Sequence, residues 1–379
     1  MTSSKLLLSI MLLFVLISYP SVGASSEMWS QIYEIDRHQQ VYSVIETSDG
    51  GYALAGGYSL IDDFWLVKID EWGNIQWNMT YGGEKNDYAT SLVETSDGGY
   101  ALAGRTESFG QGEEDFWLVK TDADGNMQWN RTYGGPNSEK LYSMVQTSDG
   151  GYALAGDELF VKTDAYGNME WNRTIIGGGV RAMVQTSDGG YALAGRLWLM
   201  KTDSMGLMEW KQTYEETGRG DNLSHGLIVT PDGGYAKIGA GLLIKTDEYG
   251  SMEWNQTYED SLAFSLIATS DGGYAFVLDN RLIKTDAQGN VVWSESYEPR
   301  YEWSSLQLSS VIETSDGGYA IAGNIFEFFT GKSVILVAKT NEYGVIPEFP
   351  SWTPLIITLV AVVAITFVYR QKLQSWGNK

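Results

Sequence analysis

The sequence predicts an all-β fold, a seven-bladed β-propeller that is closed by an N-terminal strand and followed by a C-terminal transmembrane helix. The first observation is a decapeptide at 47–56, Thr-Ser-Asp-Gly-Gly-Tyr-Ala-Leu-Ala-Gly, whose core recurs six more times. The further copies begin at Thr95, Thr147, Thr186, Thr230, Thr269 and Thr314. Units of roughly 40–50 residues, repeated four to eight times, are typical of propeller blades.

Each repeat has the pattern of a four-stranded antiparallel sheet, as the second copy illustrates. Aromatic, β-branched and alternating apolar positions predict strands at 89–95, 100–104, 116–121 and 127–133. The turn Asp97-Gly98-Gly99 separates the first two strands, and residues 122–126 separate the last two. Glycine supplies the positive φ that such tight hairpins need. The repeat therefore predicts a meander of four short strands.

The tryptophan of the fourth strand indicates how the ring closes, because only six of the seven repeats are followed by it. It occurs at Trp77, Trp129, Trp171, Trp210, Trp254 and Trp293. The seventh repeat stops near Gly344 without a tryptophan strand, whereas residues 28–33 precede the first repeat and match that strand in pattern. We predict that this N-terminal strand completes the last blade of a propeller at 25–344. Closure removes the open sheet edges at which chains otherwise pair.

Both ends of the chain carry apolar segments that predict export and anchoring. Residues 1–24 combine Lys5, an apolar run and a small-residue cleavage site, as signal peptides do. A proline-containing linker at 345–351 precedes 352–369, which is uncharged and long enough for a transmembrane helix. The basic residues of the tail at 370–379 predict a cytoplasmic end. The expected location is the cell surface, with the membrane as one partner and the propeller outside.

Composition excludes several classes of function. The formal net charge of −23 argues against nucleic acid as a partner, since phosphates require a basic surface. The chain has no cysteine, which excludes disulfides and thiolate metal sites. No nucleophile or phosphate-loop motif is present. We therefore expect no metal and no cofactor.

Two residue types recur once in every repeat and are interpreted as scaffold. The turn aspartates are Asp49, Asp97, Asp149, Asp188, Asp232, Asp271 and Asp316. The third-strand lysines are Lys68, Lys120, Lys162, Lys201, Lys245, Lys284 and Lys339. A catalytic acid–base pair needs two carboxylates in different environments, whereas these seven are equivalent. We expect the lysine stems to pack and their ammonium groups to reach a carboxylate or carbonyl.

N-glycosylation acceptors occupy one recurrent place, directly after the fourth-strand tryptophan. They are Asn78, Asn130, Asn172 and Asn255, with Asn222 as a further acceptor in an insertion. The fourth strand is the outermost of a blade, so these asparagines are expected at the rim of the ring. The alternative is that Trp-Asn-X-Thr recurs because it suits the strand.

The repeats diverge on one face of the predicted ring, which we call the variable face. It carries the loops between strands two and three and the connections between blades, whereas the constant glycine turns lie on the opposite, turn face. Binding residues concentrate in such loops. The candidates for ligand binding are Arg300, Tyr301 and Trp303, and an acidic group of Glu113, Glu114 and Asp115 with Asp62 and Asp63 beside it. The alternative is that these are ordinary solvated loops.

The two motifs of the repeat, Thr-Ser-Asp-Gly-Gly-Tyr-Ala-Leu-Ala-Gly and Asp-Phe-Trp-Leu-Val-Lys-Thr-Asp, resemble those of archaeal cell-surface propeller proteins. Residues 347–372 resemble the archaeal PEF-CTERM anchoring segment, with Pro347-Glu348-Phe349-Pro350 as its signature. The resemblance implies surface display and processing by an archaeosortase. A looser similarity links Asp122, Gly125 and Trp129 to the tryptophan-docking repeat of quinoprotein (PQQ) propellers. It implies shared blade packing, and without the cysteine pair of those enzymes no quinone is predicted.

The sequence thus predicts a surface-anchored propeller that acts as a binding, adhesion or envelope-structure module, with a glycan or an envelope protein as its partner. One alternative is an extracellular carbohydrate-active enzyme that uses carboxylates of the variable face, and another is a purely architectural layer component. Two facing carboxylates with strongly shifted pKa values in the central cleft would favour the enzyme. A face with exposed aromatic residues would favour binding.

Overall fold

The computed structural model describes residues 28–34, 39–58, 63–214, 224–259, 261–299 and 303–346. These residues form seven four-stranded antiparallel sheets, so the predicted seven-bladed propeller is confirmed. They contain no helix that is long and apolar enough to cross a membrane. The predicted signal peptide at 1–24, the predicted helix at 352–369 and the tail at 370–379 lie outside the described residues.

Each blade runs from its innermost to its outermost strand, and blades are numbered along the chain. Blade 1 comprises β2 (Gln39–Glu46), β3 (Tyr52–Tyr58), β4 (Phe64–Ile69) and β5 (Ile75–Tyr81). Blade 2 comprises β6 (Asp87–Glu94), β7 (Tyr100–Thr106), β8 (Asp115–Thr121) and β9 (Met127–Tyr133). Blade 3 comprises β10 (Leu141–Gln146), β11 (Tyr152–Gly156), β12 (Leu159–Thr163) and β13 (Met169–Thr174). Blade 4 comprises β14 (Ala182–Gln185), β15 (Tyr191–Ala194), β16 (Trp198–Thr202) and β17 (Met208–Thr213).

The remaining blades follow the same order. Blade 5 comprises β18 (Ser224–Val229), β19 (Tyr235–Gly239), β20 (Leu242–Thr246) and β21 (Met252–Thr257). Blade 6 comprises β22 (Ala263–Ala268), β23 (Tyr274–Leu278), β24 (Arg281–Thr285) and β25 (Val291–Ser296). Blade 7 comprises β26 (Ser304–Glu313), β27 (Tyr319–Glu327), β28 (Ser333–Lys339) and, as its outermost strand, β1 (Trp29–Tyr33).

The N-terminal strand closes the ring. β1 pairs antiparallel with β28, with Trp29 opposite Lys339 and Tyr33 opposite Ile335. The inner strands of neighbouring blades contact one another around the whole ring, and β26 contacts β2 across the junction. The predicted closure by residues 28–33 is therefore confirmed.

Two blades have longer strands than the pattern predicted. In blade 2 the second hairpin continues until Thr106 lies opposite Asp115. In blade 7 the segments predicted as extended loops at 298–307 and 324–332 are partly strand, because Ser304 pairs with Glu327 and Phe326 with Ser333. The added strand residues are mixed in polarity and include the buried polar pair Thr106 and Asp115, so the apolar pattern ends before main-chain hydrogen bonding does.

The Asp-Gly-Gly turn is held by its own aspartate. In blade 2, Asp97 accepts the hydroxyl hydrogen of Thr95 at 2.6 Å and the N–H of Gly99 at 3.1 Å. Lys120, buried along its stem, donates to the same carboxylate at 2.9 Å. Every blade makes this ion pair. The predicted packing of the repeated lysines is thus confirmed.

Neighbouring blades are joined by the outer-strand tryptophan and a turn glycine. Gly125 of blade 2 has φ +79, and a Cβ atom there would lie 2.8 Å from the ring of Trp77 in blade 1. The hydroxyl of Tyr81 donates to the carbonyl of Gly125 at 2.5 Å. The same hydrogen bond joins Tyr33 to Gly73, Tyr133 to Gly167, Tyr214 to Gly250, Tyr258 to Gly289 and Tyr297 to Gly344. The apolar core accordingly consists of clusters between adjacent blades.

Candidate functional site

The two faces of the ring differ as the sequence predicts. The antiparallel order of strands places the turns between first and second strands and between third and fourth strands on the turn face. The loops between second and third strands and the connections between blades lie on the variable face. Both ends of the described chain, the start of β1 and the segment after β28, are on the turn face.

A cavity of about 430 Å³ lies at the centre of the ring, lined by residues of all seven blades. Most of its wall comes from the first half of each inner strand, the end that is nearest the variable face. From blades 1, 2 and 3 the wall includes Tyr42, Tyr88, Thr90, Ser91, Arg105, Leu141, Tyr142 and Ser143. From blades 4 to 7 it includes Arg181, Ala182, Met183, Gly226, Leu227, Phe264, Ser265, Leu266, Ser309 and Ser310.

One position of each inner strand varies in residue type, whereas the position after it is serine in five blades. In six blades the varying position is a β-bulge. The bulges lie at Tyr42, Thr90, Tyr142, His225, Phe264 and Ser309. Arg181 occupies the corresponding place in blade 4, directly before β14. A bulge redirects the side chain of its extra residue. Tyr42, Thr90, Tyr142, Arg181, Phe264 and Ser309 line the cavity.

The serine after the bulge in blades 2 and 3 also lines the cavity, and in addition it joins neighbouring blades. The hydroxyl of Ser91 accepts a hydrogen bond from the N–H of Met144 in the next blade at 3.2 Å. Ser143 accepts one from Met183 at 3.1 Å in the same way. The cavity wall thus combines a layer of serines that join blades with a variable layer at the bulge positions. Aligning the seven repeats would have revealed the variable layer, because its residues change in size and polarity while the next position is serine in five blades.

The described cavity wall is cationic and aromatic. The guanidinium of Arg181 lies 3.8 Å from the ring centroid of Tyr142, and that of Arg105 lies 4.6 Å from the centroid of Tyr88. None of the described lining residues is an aspartate or a glutamate. The absence of acidic side chains from this wall contrasts with the net charge of −23 of the whole chain. The cavity is therefore suited to aromatic or anionic groups.

The aromatic candidate Trp303 lies elsewhere, at the tip of blade 7. Its side chain is 67% exposed, and its ring centroid is 5.7 Å from that of Phe329, which is 80% exposed. The N–H of Phe328 donates to the carbonyl of Trp303 at 3.1 Å. The sequence did not single out the two phenylalanines, which join Trp303 through the β26–β27 hairpin. Arg300 and Tyr301 lie outside the described residues.

Glu114 is fixed by ion pairs. It lies 3.2 Å from Arg105 and 3.3 Å from Lys140, and it accepts the hydroxyl hydrogen of Ser138 at 2.6 Å. Through Arg105 it is linked to the wall of the central cavity. Glu113, its neighbour in the loop, is exposed.

Asp115 is buried at the start of β8, where it accepts the N–H of Gln111 at 2.6 Å. Burial raises the pKa of this carboxyl, the hydrogen bond from Gln111 opposes that rise, and the nearby charge of Glu139 adds to it. Asp115 therefore supports its own loop and does not line the central cavity. A ligand contact for any of these carboxylates stays a prediction.

The glycosylation acceptors lie at the rim. Asn78, Asn130, Asn172 and Asn255 are exposed on β5, β9, β13 and β21, the outermost strands of four blades. Asn222 lies outside the described residues. In blade 4 the equivalent place is held by Lys211. Modification of these sites stays a prediction.

No group of three or more histidine, aspartate or glutamate side chains in the described part of the chain is arranged to hold a metal ion. The repeated carboxylates of the turn face are spread one to a blade, each against its own lysine. These carboxylates form structural ion pairs with the lysines of their own blades.

No family model matches the chain, and no curated protein matches it. The WD40 domain of Neurospora crassa Pan2 is similar in fold, with 10% identity and a TM-score of 0.59 over 83% of this chain and 96% of that one. BBS1N, solved in complex with ARL6DN, is 10% identical with a TM-score of 0.54 over 83% of this chain and 97% of that one.

A third similar structure is the extracellular domain of the putative hybrid two-component system BT4673 from B. thetaiotaomicron. It is 12% identical with a TM-score of 0.59, over 82% of this chain and 39% of that one. At these identities the similarity establishes the propeller fold alone.

Proposed function

We propose that this protein is a cell-surface binding module that recognises its ligand with the variable face, at the central cavity. The single observation that carries the proposal is the bulge position, with Arg181 at the corresponding place in blade 4: in six blades its residue lines one cavity, and these residues include tyrosine, threonine, arginine, phenylalanine and serine. Positions that serve only the fold repeat in this chain. Residues that change where the fold requires no change are the best candidates for recognition.

The chemistry of the cavity wall supports binding. Tyrosine and arginine dominate the energetics of many binding sites, because each combines a large contact area with directional hydrogen bonding. Tyr42, Tyr88 and Tyr142 with Arg105 and Arg181 supply both around a space of about 430 Å³. A glycan residue or a peptide side chain fits this size. Hydrolysis of a glycan would need a pair of carboxylates, which the described cavity wall does not provide.

The similar structures support the same class of function. BBS1N was solved in complex with ARL6DN, and the B. thetaiotaomicron domain is extracellular. A propeller that binds a protein or a glycan outside the cell is consistent with both.

The geometry of the chain ends supports display. The chain leaves the ring after β28 on the turn face, so an anchor at 352–369 would hold that face toward the membrane. The variable face and its cavity would then point away from the cell. Exposure of the propeller to added protease on intact cells would test this orientation.

The binding experiment uses the full chain purified in detergent, with a panel of glycans and isolated envelope material, with and without calcium. We expect saturable binding that Tyr142→Ala weakens at least about tenfold, as truncation of a central contact residue does. Tyr166→Ala is the matched control, because Tyr166 is exposed on the turn face of the same blade. Trp303→Ala tests the blade 7 aromatics separately. Binding that Tyr142→Ala leaves intact would contradict the proposed site, and release of a product would favour the enzyme.

A further inference from the structure

Blade 4 carries a second pocket on the variable face, with a volume of about 480 Å³. Its wall includes the loop Gly177-Gly178-Gly179, together with Arg181, Trp198 and Lys211. The glycine loop is the connection from blade 3, and Trp198 begins β16. None of the described lining residues is acidic. In a chain of net charge −23 this concentration of positive charge requires an explanation.

Two of the three cationic side chains that line this pocket, Lys211 and Arg181, have no carboxylate partner among the described residues. The ammonium of Lys211 donates to the carbonyl of Ile176 at 3.0 Å and lies 4.2 Å from the ring centroid of Trp198. Burial lowers the pKa of Lys211. Arg181 lies over the ring of Tyr142. The lysines of the repeated scaffold, in contrast, all pair with aspartate.

Neutral hydrogen-bond donors surround the same space. The N–H groups of Gly177, Gly178 and Gly179 donate to no acceptor within the described residues. Gly177 and Gly178 have φ values of +99 and +107, which a larger residue would adopt only with strain. Trp198 is only 5% exposed, and its indole Nε1 lies beside the glycine loop, 3.6 Å from where a Cβ atom of Gly178 would be. Successive main-chain N–H groups of this kind bind anions.

A buried lysine behind the pocket donates hydrogen bonds to carbonyl groups of the pocket wall. The ammonium of Lys237 in β19 donates to the carbonyls of Gly195, Arg196 and Trp198 at 3.0, 3.3 and 3.4 Å. Lys237 stands where blades 1 to 4 have leucine, as at Leu154, and where blades 6 and 7 have other apolar residues. Carbonyl oxygens repel an anion, and here three of them accept hydrogen bonds from Lys237 on the far side of the loop. Lys237 is therefore a positioning residue.

We propose that this pocket binds the oxyanion group of a small ligand, a carboxylate, sulfate or phosphate. Lys211 and Arg181 supply the charge, and the glycine loop and Trp198 supply directed N–H donors. Charge-assisted hydrogen bonds of this type are the strong ones in such sites. The inference goes beyond the proposed function, since the pocket and the central cavity share only Arg181.

The test is calorimetric titration of the full chain with sodium sulfate, sodium phosphate and galacturonate, with galactose as the neutral probe. We expect one saturable site per chain for at least one anion and none for galactose. The anion that binds best distinguishes an inorganic oxyanion from a sugar acid. Lys211→Gln should weaken that binding about tenfold or more, the cost of losing one charged hydrogen bond.

Lys85→Gln is the matched control, because Lys85 is exposed on the same face in the connection between blades 1 and 2. Lys211→Asn tests the same loss of the ammonium group. It introduces the asparagine that blades 1, 2, 3 and 5 have at this position. Equal melting temperatures would show that both variants are folded. Absence of saturable binding for all three anions, or equal binding by Lys211→Gln and the native chain, would overturn the proposal. Neither result would affect the Tyr142→Ala test of the central cavity.

Discussion

Ser315 of blade 7 donates its N–H and its hydroxyl hydrogen to the carboxylate of Glu46 in blade 1, at 2.9 and 2.8 Å. Ser48 makes the same pair of bonds with Glu94 at the junction of blades 1 and 2, at 2.8 and 2.7 Å. The junction that closes the ring is thus built from the same contact as an internal one. Residues at opposite ends of the chain behave as sequence neighbours do.

Glu46→Ala is expected to destabilise the protein as much as Glu94→Ala does. Each removes two hydrogen bonds to a carboxylate at an exposed edge, a loss of about 1 kcal/mol. Urea denaturation of both variants, followed by tryptophan fluorescence, would measure the free energy of unfolding. An effect of Glu94→Ala without an effect of Glu46→Ala would show that blades 1 and 7 are not joined in solution.

Gly125→Ala is expected to cost more stability than Gly98→Ala. Both glycines have φ +79, so alanine pays the same backbone cost at each, about 1–2 kcal/mol. A Cβ at Gly98 meets nothing within 4 Å, whereas one at Gly125 would lie 2.8 Å from the Trp77 ring. The difference between the two melting temperatures therefore measures the blade-to-blade contact. Equal losses would show that Trp77 can move aside without cost.

Lys237→Leu is expected to remove a pH dependence of stability. Burial lowers the pKa of Lys237 to about 7, from 10.5 in the unfolded chain. Between these values the unfolded state binds a proton that the native state does not, so the free energy of unfolding rises with pH by about 1.4 kcal/mol per unit. Below about pH 7 both states are protonated, and the cost of the buried charge is fully present.

Denaturation at pH 7.5, 8.5 and 9.5 would measure this slope. The native chain should become more stable relative to Lys237→Leu as pH rises. Parallel curves for the two proteins would show that Lys237 stays charged in the fold, held by the carbonyls of Gly195, Arg196 and Trp198.

Acid is expected to weaken the turn face. Burial of Asp97 opposes its ionisation, but hydrogen bonds from Thr95 and Lys120 outweigh burial and lower its pKa to about 2, from 3.8. Since the folded pKa lies below the unfolded value, the stabilisation is present above about pH 4 and is lost as pH falls toward 2. The turns of blades 1, 3, 4, 5 and 6 carry the same shift.

Asp97→Asn should therefore lose less stability between pH 4 and pH 2 than the native chain does. Asp124→Asn is the control, because Asp124 is an exposed aspartate in the other turn of the same blade and pairs with no described lysine. Thermal melts across this range would compare the three proteins. An unchanged acid profile in Asp97→Asn would assign the acid sensitivity to other carboxylates.

The sequence by itself determined the number of blades, their four strands and their closure by residues 28–33. These features are local: a turn such as Asp97-Gly98-Gly99 between two strand patterns is favoured by its own residues, and its seven copies give the number of blades. The scaffold roles of Asp97 and Lys120 followed from the same repetition. The ends of the strands in blade 7 were not predicted, because main-chain pairing continues beyond the apolar pattern that indicates a strand.

Only the tertiary structure decided which residues meet. Tyr42, Thr90 and Phe264 come together at the central cavity because bulges redirect single residues of strands that are far apart in sequence. The pocket of blade 4 needs Lys211 from an outer strand, a glycine loop from the preceding connection and Lys237 from the next blade. A linear pattern records the type and spacing of residues. Distances between blades, and the loss of water around Lys237, arise only when the ring has closed.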